Sequence, residues 1–470
     1  MRCYKIFLLL LISSVSLGQI NEKGLPFVRT FTPEEYDASD QNWVVVQDHR
    51  GIMYFGNNDR GVLEYDGKTW RKIAVPNNAP VRSLAVDSLG KVYVGASGEF
   101  GYLSPNQRGK LEYQSLTQLI KDSLVNILDV YQIHFHRGYV YFYTVFNLFQ
   151  YDGTGIKIFN INPNQQFYNY FSFNINNHLY IGSFTSGLRE FIDTCAVVAP
   201  NGDFFKHANI YSMTPYNRQW ANMVTSKGIF RYNQTSGEIV RVKSWNDFYK
   251  GAPEEGAVPY NHIVTDKNGL GLSFIYGRNY SFAQTDSLGN AFTVVNTSNG
   301  LQDDMIFNLY QNQNGNSPVW LCLNIGISRL DIHSQIRRFS EESGLKGSIN
   351  FITQYNKTLF VGTMSGVFYK TIDPNGFSIF KQLNEINITA WSYLHFKDPT
   401  TGKIRLLIGG TGAVYEVKEN FKVINISELP DFKGKIGHVG YSLHQSDCQP
   451  DIVYIGGSSL TAMKWERGQW

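Results

Sequence analysis

Apolar and polar residues alternate in short runs along most of the chain, and the runs repeat. Met53-Tyr54-Phe55-Gly56 is followed by Gly61-Val62-Leu63-Glu64-Tyr65-Asp66-Gly67, and Val92-Tyr93-Val94-Gly95 by Gly101-Tyr102-Leu103. Leu179-Tyr180-Ile181-Gly182 precedes Gly187-Leu188-Arg189-Glu190-Phe191, and Leu359-Phe360-Val361-Gly362 precedes Gly366-Val367-Phe368-Tyr369. Val453-Tyr454-Ile455-Gly456 closes the series, and weaker copies centre on Tyr141, Trp220, Leu272, Trp320 and Leu407. Ten units at a spacing of roughly 44 residues match the length of a four-stranded propeller blade. Alternation of this kind puts successive side chains on opposite faces of a strand.

Each unit has an internal grammar. A first strand, Trp43 to Gln47 in the first unit, ends in a turn of the form Asp48-His49-Arg50-Gly51. Asp87-Ser88-Leu89-Gly90, Asp266-Lys267-Asn268-Gly269 and Asn312-Gln313-Asn314-Gly315 repeat it. The last position takes glycine because the hairpin needs positive φ there. A second strand (Ile52 to Gly56), a loop, a third strand (Val62 to Tyr65), an Asp-Gly turn and a fourth strand (Thr69 to Ala74) complete the blade. The glycine after the aromatic anchor lets the second strand approach a crowded neighbour. Tyr54, Tyr93, Tyr141 and Tyr180 should then occupy equivalent positions in successive blades. Helical spacing is scarce, and Leu116 to Val130 is the one stretch suited to a helix.

These patterns predict an all-β chain, a β-propeller of four-stranded antiparallel blades. Ten units exceed the usual four to eight blades of one ring. Seven blades from Tyr54 to Trp320 would close a first propeller over residues 19–344. Residues 345–470 would supply three blades of a partial second one. Pro26 to Pro33 is expected to close a ring as an outer strand.

Composition fits strands joined by tight turns: 15% of the 470 residues are aromatic and 43 are glycine, and aromatics suit pleated surfaces. The formal net charge is only +3, without the clustered basic surface that nucleic acid would require. At the N-terminus Arg2 and Lys5 precede the unbroken apolar run Ile6 to Ile12, with small Ser16 and Gly18 before Gln19. Residues 1–18 therefore read as a secretory signal, too short to span a membrane, which makes the mature chain an exported, periplasmic one. After Cys3, only Cys195, Cys322 and Cys448 remain, with neither disulfide framework nor zinc spacing. Cys322, in Val319-Trp320-Leu321-Cys322-Leu323, is expected to be a small buried hydrophobe.

Trp320 to Leu330, preceded by Asn299-Gly300-Leu301-Gln302-Asp303, resembles the repeat of the two-component regulator propeller family. The opening Pro26-Phe27-Val28-Arg29-Thr30-Phe31, then Gln41-Asn42-Trp43 and Gly51 to Asn57, is similar to the start of exported bacterial sensors built on that repeat. The resemblance covers nearly the whole mature chain. It implies an extracytoplasmic propeller region, followed in the intact receptor by a small β-sandwich with three tyrosines. One transmembrane helix and a cytoplasmic output module, such as a histidine kinase, come after it. It also implies a homodimer in the intact receptor and membrane attachment only through that C-terminal part. This sequence ends at Trp470 with none of those parts, and the expectation is the N-terminal portion of a longer receptor or a truncated gene.

No phosphate loop, HExxH, nucleophile elbow or cofactor motif occurs, and no catalytic or metal-binding residue is assigned. His134 and His136 alternate on one strand face and read as packing rather than a metal pair. Glu254-Glu255 and Asp303-Asp304 read as solvated turn residues, since sequence neighbours point apart. Binding is expected in the loops between second and third strands, which a propeller gathers on one face around its channel. Asn57, Arg60, Glu99, Phe146, Asn147 and Arg278 are the candidate ligand-binding residues. Polar groups beside exposed aromatics suit a small molecule or oligosaccharide, whose hydroxyls need hydrogen bonds and whose C–H faces stack on rings. The function expected is ligand sensing for a two-component-type receptor. An exported enzyme acting on polysaccharide and a protein-interaction scaffold are the alternatives.

Overall fold

The computed structural model describes residues 24–121, 125–161, 171–243, 264–265, 272–276, 281–285, 291–297, 300–312, 317–372, 378–434 and 440–470. The signal segment, Glu254-Glu255, Asp266 to Gly269, Arg278 and the Gln313 to Gly315 turn lie outside them. Two compact units result, Leu25–Arg337 and one containing Arg338–Trp470.

Leu25–Arg337 contains seven four-stranded antiparallel sheets. We number them as blades and letter their strands a to d from the inside outward. Blade 1 runs Asn42–Gln47, Met53–Asn57, Val62–Tyr65 and Trp70–Ile73. Blade 2 begins with strand a at Val81–Val86, blade 3 at Gln132–His136, blade 4 at Phe171–Ile175 and blade 5 at Ile210–Pro215. Blade 6 begins at Val264–Thr265 and blade 7 at Ile306–Tyr310. Apolar layers fill the gaps between successive sheets, and strand a of blade 5 lies beside that of blade 6. The fold is a seven-bladed β-propeller.

Blade 7 is assembled from both ends of this unit. Its strands a to c are Ile306–Tyr310, Val319–Leu323 and Ile327–Asp331. Its strand d is Phe27–Phe31, paired antiparallel from Phe27 opposite Asp331 to Phe31 opposite Ile327. The segment expected to close a ring does so. Phe31 is 1% exposed. It stacks on Trp320 at 5.6 Å and meets Tyr65 and Trp70 of blade 1 edge-on at 5.3 and 5.5 Å. Cys322 is fully buried in the same layer.

The repeat grammar has direct physical counterparts. Tyr54, Tyr93, Tyr141 and Tyr180 all lie in strand b, opposite Glu64, Tyr102, Gln150 and Glu190 of strand c. Gly56 follows its tyrosine because a Cβ there would sit 2.6 Å from Val44 and 2.7 Å from the Val81 carbonyl of the next blade. Asp48 holds its turn by accepting from the Arg50 and Ile52 amides at 2.9 and 3.0 Å, with Gly51 at φ +86°. Asp87 does the same for Leu89 and Lys91. Leu116 to Val130 differs from expectation. Its described part holds a 3-10 turn at Thr117–Leu119 and a β-bridge from Asp129 to Ser97, and Leu116 and Val130 are buried against blades 2 and 3. A one-turn α-helix at Pro33–Tyr36, which the sequence reading did not anticipate, turns the chain from the closing strand into blade 1.

The other unit repeats the pattern. Strands Ile349–Tyr355, Thr358–Thr363, Gly366–Ile372 and Ser378–Gln382 form one sheet, and a second begins at Ala390–Lys397. A third has three strands among the described residues, Ser442–Gln445, Ile452–Gly456 and Leu460–Lys464.

Closure by Phe31 gives the first prediction. Phe31→Ala removes a buried ring from the seam between blades 7 and 1 and should cost about 3–5 kcal/mol. Chemical denaturation checks it, and a cost below about 1 kcal/mol would mean that the seam does not carry the ring.

Candidate functional site

Strand a in most blades opens with a β-bulge. The ladder skips from Asn42 to Val44, from Val81 to Ser83, from Ile210 to Ser212 and from Ile306 to Asn308. A bulge breaks the alternation of faces and re-aims the skipped residue. The skipped residues are Trp43, Arg82, Tyr211 and Phe307. In blade 3, Tyr131 stands at the corresponding place, just before Gln132, with its amide bonded to the Tyr143 carbonyl at 2.9 Å. All five line a cavity of about 690 Å³ on the propeller axis. Gln132, Phe171, Asn209, Met305 and Asn308 also line it.

These side chains touch one another around the wall. Trp43 stacks on Phe307 at 4.4 Å across the seam between blades 1 and 7. The Arg82 guanidinium lies 3.9 Å above the Trp43 ring, and its Nε is 3.5 Å from Asp129 Oδ2. The Tyr131 hydroxyl donates to the same carboxylate oxygen at 3.3 Å. On the far side Phe171 meets Tyr211 edge-on at 6.1 Å. Burial lowers the Arg82 pKa, with Asp129 opposing the shift. Beneath the mouth, Ser172 of blade 4 bonds His134 Nε2 at 2.7 Å, and its amide donates to Gln132 Oε1 at 3.2 Å. Burial, then the nearby His136, pushes the His134 pKa down to about 4. Among the described residues, no cluster of three or more His, Cys, Asp or Glu side chains is placed to hold a metal ion.

Because strand b runs antiparallel to strand a, its end lies beside the bulge, as Asn57 does beside Asn42. The loops chosen from sequence therefore start at the bulged end of the strands that line the cavity. Asn57 is fully buried, and its amide donates to the Ser39 and Gln41 carbonyls and to Asn42 Oδ1 at 2.8, 3.3 and 3.0 Å. Arg60 is exposed, its Nε 3.8 Å from Asp59 Oδ1. Glu99 accepts from the Tyr113 hydroxyl at 3.0 Å and Ser115 Oγ at 2.8 Å within its own blade. Burial, then Glu99, pushes the Tyr113 phenol well above its ordinary range. Phe146 is half-buried, and its carbonyl accepts from Ile161. The Asn147 amide donates to Thr144 Oγ1 at 3.0 Å. The Trp43 indole donates to Asn58 Oδ1 at 3.2 Å, tying loop to mouth.

Sequence reasoning missed the bulge residues. The signal was present: Trp43, Arg82 and Phe307 stand at one fixed distance before the turn residues Asp48, Asp87 and Asn312.

Comparison with solved structures gives a fold relationship. The chain matches a protein described as the extracellular domain of the hybrid two component system BT3049 from B. thetaiotaomicron, with a TM-score of 0.61 at 16% identity. It has the fold of the extracellular domains of hybrid two-component systems. The corresponding domain described for BT4673 matches with a TM-score of 0.50 at 15% identity. Each alignment covers more than nine-tenths of this chain, 93% and 94%, but only 59% and 58% of the other. No family model matches the sequence, and no curated protein is similar to it.

His134 generates the second prediction. Unfolding restores its ordinary value of 6.5. Between pH 6.5 and pH 4 the unfolded chain thus binds the extra proton, and stability falls as pH is lowered through that window. The loss attributable to this ring is at most about 3 kcal/mol. A His134→Gln variant should lose less stability over the same interval, as followed by thermal unfolding. Equal losses would show that the ring does not titrate as described.

Proposed function

We propose that this chain is the ligand-sensing propeller region of an extracytoplasmic two-component-type receptor, and that the ligand enters the channel mouth of the first propeller. One observation carries this reading: bulges aim Trp43, Tyr211 and Phe307 into one cavity instead of into the sheets, and Tyr131, just before strand a of blade 3, lines the same cavity. A structural core gains nothing from that placement, since aromatic surface is better buried between blades. Rings flanked by Gln132, Asn209 and Asn308 suit a saccharide, stacking its C–H faces and bonding its hydroxyls. The loops bearing Arg60, Phe146 and Asn147 extend the same face, and Asn57 and Glu99 hold their loops in shape.

In this reading residues 1–18 direct export to the periplasm, 19–344 bind the ligand, and 345–470 begin a second propeller. A membrane helix, an output module and a homodimer belong to the intact receptor. Among the described residues, no helix is long and apolar enough to cross a membrane.

Two experiments test the proposal. Isothermal titration of the purified chain against a panel of oligosaccharides should find a binder. Trp43→Ala and Phe307→Ala should each weaken that binding by about tenfold or more. Retained affinity in both variants would place the ligand elsewhere. Mass spectrometry of the exported protein should find an N-terminus at Gln19, and an intact Met1 in the cytoplasmic fraction would defeat the export assignment.

A further inference from the structure

Of the four bulged residues lining the channel, three are aromatic, as is Tyr131 at the matching place in blade 3; the other is Arg82. Its carboxylate and ring partners leave part of the guanidinium's hydrogen-bonding capacity unused. Nε and Nη1 are shut off from solvent without a hydrogen-bond partner. The nearest carboxylate, Asp129, stands 3.5 Å away and is shared with the Tyr131 hydroxyl. The side chain keeps 17% of its surface open and lines the cavity. Lying flat over Trp43 at 3.9 Å, the guanidinium is held by a ring face, which fixes its plane without using its N–H groups. If packing alone were needed here, another aromatic would serve, as at the four equivalent positions.

We propose that Arg82 makes the channel mouth a carboxylate receptor, so that the saccharide it takes is an acidic one bearing a uronate-type carboxylate. The inference rests on the channel-binding reading above and adds the ligand's charge. An anion drawn against the open edge of the guanidinium gains a charge-assisted hydrogen bond in a wall of low polarity. Such bonds are about twice as strong as neutral ones. The sugar ring is then positioned over Trp43 and Phe307, which already stack on each other across the seam. Asp129 tempers the site: its carboxylate opposes the incoming anion and keeps Arg82 compensated when no ligand is bound.

The test compares oligogalacturonides with neutral galactose oligomers of equal length by isothermal titration of the full chain. The wild type should bind the acidic oligomer at least about tenfold more tightly. Arg82→Gln should abolish that preference, so that the acidic oligomer binds no more tightly than the neutral one. Asp129→Asn supplies a second measurement if Arg82→Gln folds poorly, and removing the competing carboxylate should tighten acidic binding several-fold. Equal affinities in the wild type, a preference that survives Arg82→Gln, or weaker acidic binding in Asp129→Asn would overturn the inference. Binding of the neutral oligomer alone overturns it too, while leaving the channel reading intact. Binding of neither oligomer by the wild type removes both.

Discussion

The closure of blade 7 by Phe27–Phe31 is the contact on which the first propeller depends. Every other blade is built from strands contiguous in sequence, so local hairpins can form each one early. Blade 7 must recruit its outer strand from the opposite end of the unit, and that pairing carries the long loop-closure cost. Five residues in antiparallel register repay part of it through the ladder. Phe31 repays more by entering the layer that already contains Trp320, Phe55, Tyr65 and Trp70. The seam is thus a hydrophobic core as well as a strand pairing, and it removes the exposed edge an open ring would carry.

Closure also builds the candidate site. Trp43 belongs to blade 1 and Phe307 to blade 7, and their rings stack only because the two blades meet. From there the wall continues through Arg82 and Asp129 to Tyr131, each step crossing toward the next blade. The bulge at the start of strand a turns a ring of sheets into a ring of aimed side chains. It leaves the inter-blade layers intact while freeing Trp43, Arg82, Tyr211 and Phe307 from packing.

Much of the fold was legible because its constraints act locally. Asp48 and Asp87 announce their turns because a carboxylate three residues before a positive-φ glycine caps the hairpin amides. Gly56 announces the close approach of Val81 because no side chain fits there. The closing strand could be placed because an alternating segment stood before the first complete unit. The site was harder to read. Asn57 and Glu99 look like free polar residues in loops, yet their neighbours in space, Ser39 and Tyr113, consume their hydrogen bonds. Trp43 and Phe307 look like ordinary strand residues, because a one-residue bulge is invisible in a pattern of period two. Leu116 to Val130 has apolar spacing suited to a helix, and the packing of blades 2 and 3 uses those residues individually.

The central claim is that the N-terminal strand is an integral stave of a closed ring rather than a tail laid against it. Native-state hydrogen exchange measures this directly. The amides of Phe27–Phe31 that pair with Ile327–Asp331 should exchange only through global unfolding, at the same slow limit as the core strands of blade 1. Rapid exchange of Phe27–Phe31 while Met53–Asn57 and Val319–Leu323 stay protected would contradict the account.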